Sequence, residues 1–295
     1  MLASFDCLSL RTFPFYLHAL IAFPFYLHAM IAFPLSSRAF LTFPFYSHVD
    51  DLQVLLSMMG GSFITFGALL SVFLSDGIAI AGPQTLMTAF GFVMGFSMVI
   101  LTGAALYTEI NVIVPVKYLS FSFSSKLVMF HFICFAGNVA GSLFVACLVS
   151  GADLLLESQQ IRLSVILVSK LRLAHKGPGA WFQILVSGIL GNWLVGLAAF
   201  FAKTARTLPG KIIGLAIPVI TFVGVGVQHS PANMGYMNLG LIACPGCEIT
   251  WSEAFLWNII PAGIGNLIGA ALFVSLLLWF IYIHNSRVML VKKGV

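Results

Sequence analysis

Charge is scarce in this chain: 14 Lys and Arg with 9 Asp and Glu among 295 residues, 8% of the total. Soluble domains carry about 25%. No water-soluble fold could cover a composition that is 60% apolar with so few charges. Disorder is excluded too, because disordered chains are polar and poor in aromatics, whereas Phe alone occurs 28 times. Other absences narrow the function. There is no phosphate-binding glycine loop, no nucleophile triad and no paired-carboxylate constellation, so an enzyme is not expected. The net charge of +5 does not come from basic residues grouped with aromatics, which speaks against nucleic acid. What is present is apolar sequence, with a mean hydropathy of +1.05, and an integral protein of the lipid bilayer is the class left.

The few charges divide the chain. Uncharged stretches run over Leu52–Ser75, Gly77–Thr108, Leu127–Ala152, Gly177–Ala202, Ile212–Cys247 and Ala254–Ser286. A spanning helix needs about 20 apolar residues, so these six stretches predict six spans. With both termini cytoplasmic, the inner loops and tails hold ten Lys and Arg and the outer loops four: Arg162, Lys170, Arg172 and Lys176. The positive-inside rule therefore favours N-in, C-in, and a multi-pass protein of the plasma (cytoplasmic) membrane is the expectation.

The second and fifth stretches are interrupted. A helix from about Leu86 to Leu101 meets Thr102-Gly103-Ala104-Ala105-Leu106-Tyr107-Thr108-Glu109-Ile110-Asn111, and apolar Ile212–Val227 meets Gln228-His229-Ser230-Pro231-Ala232-Asn233-Met234. Pro231 lacks a backbone donor and disfavours helix at Ser230. Both read as half-helices joined by unwound backbone, which membrane depth tolerates only against protein or a water-lined cavity. The third span carries Gly137-Asn138-Val139-Ala140-Gly141 and the sixth Gly265-Asn266-Leu267-Ile268-Gly269. Such small-residue seams let helices approach closely. Breaks and seams in matching places predict an all-α membrane protein of six helices, an inverted 3+3 repeat with broken second and fifth helices and a central permeation path.

Four stretches, Thr102–Thr108 (TGAALYT), Gly188–Leu197 (GILGNWLVGL), Val227–Met234 (VQHSPANM) and Asn258–Gly269 (NIIPAGIGNLIG), resemble the formate/nitrite transporter family over about 57–285. The resemblance implies an aquaporin-like protomer, a homopentamer with one pore per protomer, and no cofactor. It also implies small monovalent weak-acid anions as cargo: formate, nitrite, hydrosulfide, acetate or lactate. Carried over by motif, His229 is the central pore histidine, with Thr108 and Asn192 beside it. Leu106 and Tyr107 would form, with Thr108, an outer-central constriction. Phe92, Phe222 and Val195 would form a cytoplasmic-side one, and Lys176 would be the vestibule lysine. The chain departs from the family at Ala105 and Gln228, where acids are usual, at Tyr107, usually Phe, and at Pro231, usually apolar.

An anion in hydrocarbon is far more costly than its neutral acid, so apolar constrictions favour the acid. Lys176, with Arg172 and His175 nearby, would concentrate anions at the outer mouth. His229 would then supply or relay a proton, or offer a hydrogen bond. A neutral-solute channel is the nearer rival, although Pro231-Ala232-Asn233 is not the Asn-Pro-Ala signature. A membrane haem or metal redox protein is the further one, but no two histidines pair across facing spans. Cys244-Pro245-Gly246-Cys247 leaves three readings open, a disulfide, a redox pair or half of a metal site, but without a second C-x-x-C or C-x-x-H no metal is expected.

The first fifty residues form a ten-residue repeat, with Phe13–Ala22 recurring at Phe23–Ala32 and fading thereafter. Its regular prolines interrupt any helix long enough to span. The expected organisation is therefore a repeat tail over 1–51, a transport domain over 52–286 and a basic cytoplasmic tail over 287–295.

Overall fold

The computed structural model describes residues 51–120 and 125–284. The two tails expected from the sequence lie outside the described residues, apart from the backbone of Asp51. Six helices are long and apolar enough to cross a membrane: α1 (Asp51–Ser75), α2 (Ala81–Thr102), α4 (Ser125–Gly151), α6 (Pro178–Thr204), α7 (Leu208–Val225) and α9 (Trp251–His284). Two half-helices, α3 (Tyr107–Ser120) and α8 (Ser230–Ala243), complete the broken second and fifth crossings. The amphipathic α5 (Glu157–Leu171) joins the two halves.

The unwound stretches are shorter than the sequence suggests. They cover Gly103–Leu106 and Gly226–His229 only. Each follows a glycine at positive φ, Gly103 at 74° and Gly226 at 76°, which ends the preceding helix in a left-handed turn that a Cβ would disfavour. Pro231 does not sit in the unwound stretch. It occupies the first turn of α8, where a missing N–H costs nothing.

One buried asparagine clamps each break. Asn138 on α4 donates from Nδ2 to Ala105 O (2.9 Å) and Ser57 O (2.7 Å), and its Oδ1 accepts from Tyr107 N (2.8 Å). Asn266 on α9 donates to Gln228 O (3.1 Å) and Gly188 O (2.8 Å), and accepts from Ser230 N (2.7 Å). The backbone bonds of the two patterns match one for one, and they satisfy groups that lipid could not. Close packing matches as well. A Cβ on Gly60 would strike the Ala105 carbonyl, and one on Gly191 would strike that of Gln228. The halves are thus two copies of one motif running in opposite directions, and Leu106 in one stands where His229 stands in the other.

Candidate functional site

The half-helices α3 and α8 bring their N-terminal ends together in the middle of the protein. Aligned peptide dipoles make such ends partly positive, and paired half-helix ends of this kind suit an anionic group. At the junction Thr108 Oγ1 lies 2.9 Å from His229 Nε2, both side chains buried. His229 caps α8: its Nδ1 accepts from Ala232 N at 3.3 Å. Because Nδ1 is the acceptor, the neutral ring carries its proton on Nε2 and donates it to Thr108. Asn192 on α6 donates from Nδ2 to Thr108 O (3.2 Å) and Asn266 O (2.9 Å). Its Oδ1 is buried and accepts no hydrogen bond among the described residues. The structure therefore brings together the three central residues named from the sequence.

A cavity of about 530 Å³ opens above this cluster, on the side of α5. Arg162, Lys170 and Arg172 line it, with the amides of Gln84, Gln183 and Gln228. Phe92 and Phe222 also line it, their rings 6.0 Å apart, and Phe222 lies 5.4 Å from the His229 ring. Phe222 thus touches both the cavity and the His229 ring.

Three placements differ from the sequence reading. Phe92 and Phe222 line the cavity and Val195 does not, although all three pack in one buried core. Along α6, Gln183, Ile184 and Ser187 line the cavity, Asn192 meets Thr108, and Val195 is a turn further from the cavity, beyond the histidine. Tyr107 does not share a constriction with Leu106. Its hydroxyl donates to Gly263 O at 3.2 Å and its ring packs on Phe135, in a separate cluster against α4. Leu106 packs in the main core with Phe92, Val195 and Phe222. Leu106 ends the unwound stretch and Tyr107 opens α3, and the two side chains pack in different clusters.

Lys176 does not line the cavity. The chain turns at His175 and Gly177, both at positive φ, and leaves Lys176 exposed. Lys170 has the cavity position instead. It shares the buried face of α5 with Leu163 and Leu167, a spacing of three to four that the sequence already displayed. Its ammonium donates to Asn233 Oδ1 at 2.6 Å and lies 5.6 Å from the centre of the Tyr236 ring. Asn233 donates to Gln228 Oε1 (2.8 Å) and Asn258 Oδ1 (2.6 Å), and Asn258 donates back to Lys170 O (3.1 Å). Asn258 belongs to a π-turn of α9, a distortion that redirects side chains at functional sites. Desolvation of the enclosed ammonium lowers the Lys170 pKa to about 8.

Cys244 and Cys247 form a disulfide in the connection after α8, which resolves their three readings. Among the described residues no group of His, Cys, Asp or Glu could hold a metal ion.

Comparison with known proteins identifies the family and the fold. Residues 50–280 match the family described as "Formate/nitrite transporter". A "Probable formate transporter" of Methanothermobacter thermautotrophicus is 30% identical over 248 residues, covering 79% of this chain and 89% of that protein. An "FNT family ion channel" of known structure superposes with a TM-score of 0.66 at 25% identity, over 77% of this chain and 88% of the other. A "Pentameric formate channel with formate bound" gives a TM-score of 0.65 at 22% identity, over 78% and 96%. This multi-pass membrane protein belongs to the formate/nitrite transporter family.

Proposed function

We propose that the chain conducts small monovalent weak-acid anions such as formate or nitrite, which pass the central constriction together with a proton. The α5 side faces outward in this reading, the termini lie in the cytoplasm, and the protein sits in the plasma membrane as a homopentamer with one pore per protomer. Residues 52–286 are the transport domain. The observation that carries the reading is the meeting of two half-helix N-termini at the Thr108–His229–Asn192 cluster, below a cavity lined by Arg162, Lys170 and Arg172.

The steps follow from the chemistry. Cationic side chains concentrate anions in the cavity, with Lys170 in the vestibule role and the exposed Lys176 at most a contributor to the general field. Phe92 and Phe222 then admit the neutral acid more readily than its anion. Below them, the Nε2–H of His229 and the hydroxyl of Thr108 offer donors, and Asn192 Oδ1 offers an acceptor without a protein partner. An anion uses donors only, whereas a carboxylic acid needs both, so this pairing favours the acid. Because Nδ1 holds a backbone amide, charging the ring would require that cap to break. The histidine accordingly serves as a neutral hydrogen-bond donor at the central step. Leu106 and Val195 narrow the remaining path.

Proteoliposome flux of formate, nitrite, hydrosulfide and lactate, with and without a pH gradient, tests the reading. Formate or nitrite flux accelerated by an inward proton gradient is expected. Glycerol flux at a comparable rate, with no response to the gradient, would replace it with a neutral-solute channel.

A further inference from the structure

One charge pair lies beyond the central cluster and takes no part in the steps above. Glu109 follows Thr108 on α3 and is 2% exposed. Its Oε1 lies 2.6 Å from Lys203 Nζ, whose side chain is 19% exposed at the last turn of α6. The other acids of the described residues stand in connections or in first turns at the ends of the bundle, at Asp51, Asp76, Asp153, Glu157, Glu248 and Glu253. Glu109 is in a first turn too, but that turn begins at the central junction, beside His229. Buried ionisable groups in membrane proteins are costly and point to function.

Lys203 shares one face of α6 with the central cluster. Asn192, Val195, Ala199 and Lys203 are spaced by three and four residues, so one face of α6 runs from the central cluster to the ammonium. The first three are buried. A solute leaving Asn192 away from the cavity and keeping to this face reaches Lys203 about 16 Å further on at 1.5 Å rise per residue. A lysine at a helix end ordinarily extends towards water, yet this one is turned inward onto a carboxylate. That carboxylate is the same chemical group as formate.

We propose that Lys203 is a second anion-binding station, at the end of the pore remote from the Lys170 cavity, and that Glu109 is its tethered competitor. The inference rests on the transport reading above. An acid arriving from the central site gives up its proton to water at the partly exposed ammonium, where its carboxylate must displace Glu109 before it leaves, and a carboxylate entering from the far side meets the same occupied cation. Glu109 thus lowers the affinity of that end for carboxylates and holds flux below what the central cluster would allow.

The test is formate flux against concentration in proteoliposomes, per correctly assembled channel. Glu109→Gln keeps the shape and an oxygen for Lys203 but removes the competing charge. It is expected to lower the half-saturating formate concentration threefold or more and to raise sub-saturating flux by a similar factor. Adding Lys203→Met should erase that gain. Unchanged or reduced flux per folded channel in Glu109→Gln, or a gain that survives in the double variant, overturns the proposal. If Glu109→Gln does not assemble, the swap Glu109→Lys with Lys203→Glu retains the pair while placing a carboxylate at the far end. Formate flux should then fall tenfold or more, and wild-type flux in the swap overturns the station. Absence of formate flux in the wild-type protein would instead mark failure of the transport reading itself.

Discussion

His229 is held at both ring nitrogens, by Ala232 N on one side and Thr108 on the other, and neither partner is an acid. Thr108→Val therefore removes the acceptor of the Nε2 proton without touching the helix cap. A buried donor left unpaired costs about 1–3 kcal/mol, and formate flux is expected to fall about tenfold while assembly is retained, as size-exclusion chromatography would show. Lys170 makes a pH-dependent contribution. With its pKa lowered to about 8, it is cationic at pH 7 and loses its charge as pH rises through 8. Its attraction for anions is present below that point and lost above it. Lys170→Arg stays charged throughout, so the ratio of variant to wild-type flux should climb between pH 7 and 9, and a flat ratio would remove Lys170 from the capture step. The imidazole was legible in the sequence because a histidine inside an apolar span is rare and costly. Lys170 was less so, since a loop lysine is usually solvated, and only the structure shows Asn233 and Tyr236 closing around it.

The broken crossings depend on Asn138 and Asn266, each bonded to three backbone groups of its own half. Asn266→Leu keeps the volume but strands the carbonyls of Gln228 and Gly188 and the amide of Ser230. With about 1 kcal/mol or more for each stranded group, a loss of about 3 kcal/mol is expected, visible as a lower unfolding midpoint in detergent. Formate flux should fall with it, because Gln228 and Ser230 flank His229. Asn266→Asp, with one acceptor kept and the donors lost, should fall between. Periodicity and glycine spacing made both seams readable as close-packing surfaces. The role of the asparagine within each seam was not readable, because it depends on where unwound backbone from another helix passes. The same limit explains why Phe92 and Phe222 line the cavity while Val195 does not. A motif shows which residues are present, whereas their depth depends on how α2, α6 and α7 cross.

At the scale of the whole molecule, the residues named for the proposed path lie between Asp51 and His284, and the family match begins at residue 50. The ten-residue repeat ends where that match begins. The six crossings, both asparagine clamps, the α5 cavity and the Glu109–Lys203 pair are all built from residues between 51 and 284. Large apolar side chains such as Phe132, Phe144, Phe182 and Ile213 face outward from the crossings, as lipid or a neighbouring protomer requires. A chain lacking residues 1–50 should therefore insert, assemble as five copies and carry formate at the rate of the full chain. Native mass spectrometry in detergent would count the copies, and proteoliposome flux would compare the rates. Equal rates and a pentameric mass assign transport to the six-helix body. A truncated chain that assembles but conducts differently would instead make the repeat a regulator of the pore mouth. One that fails to assemble would make it part of the protomer interface.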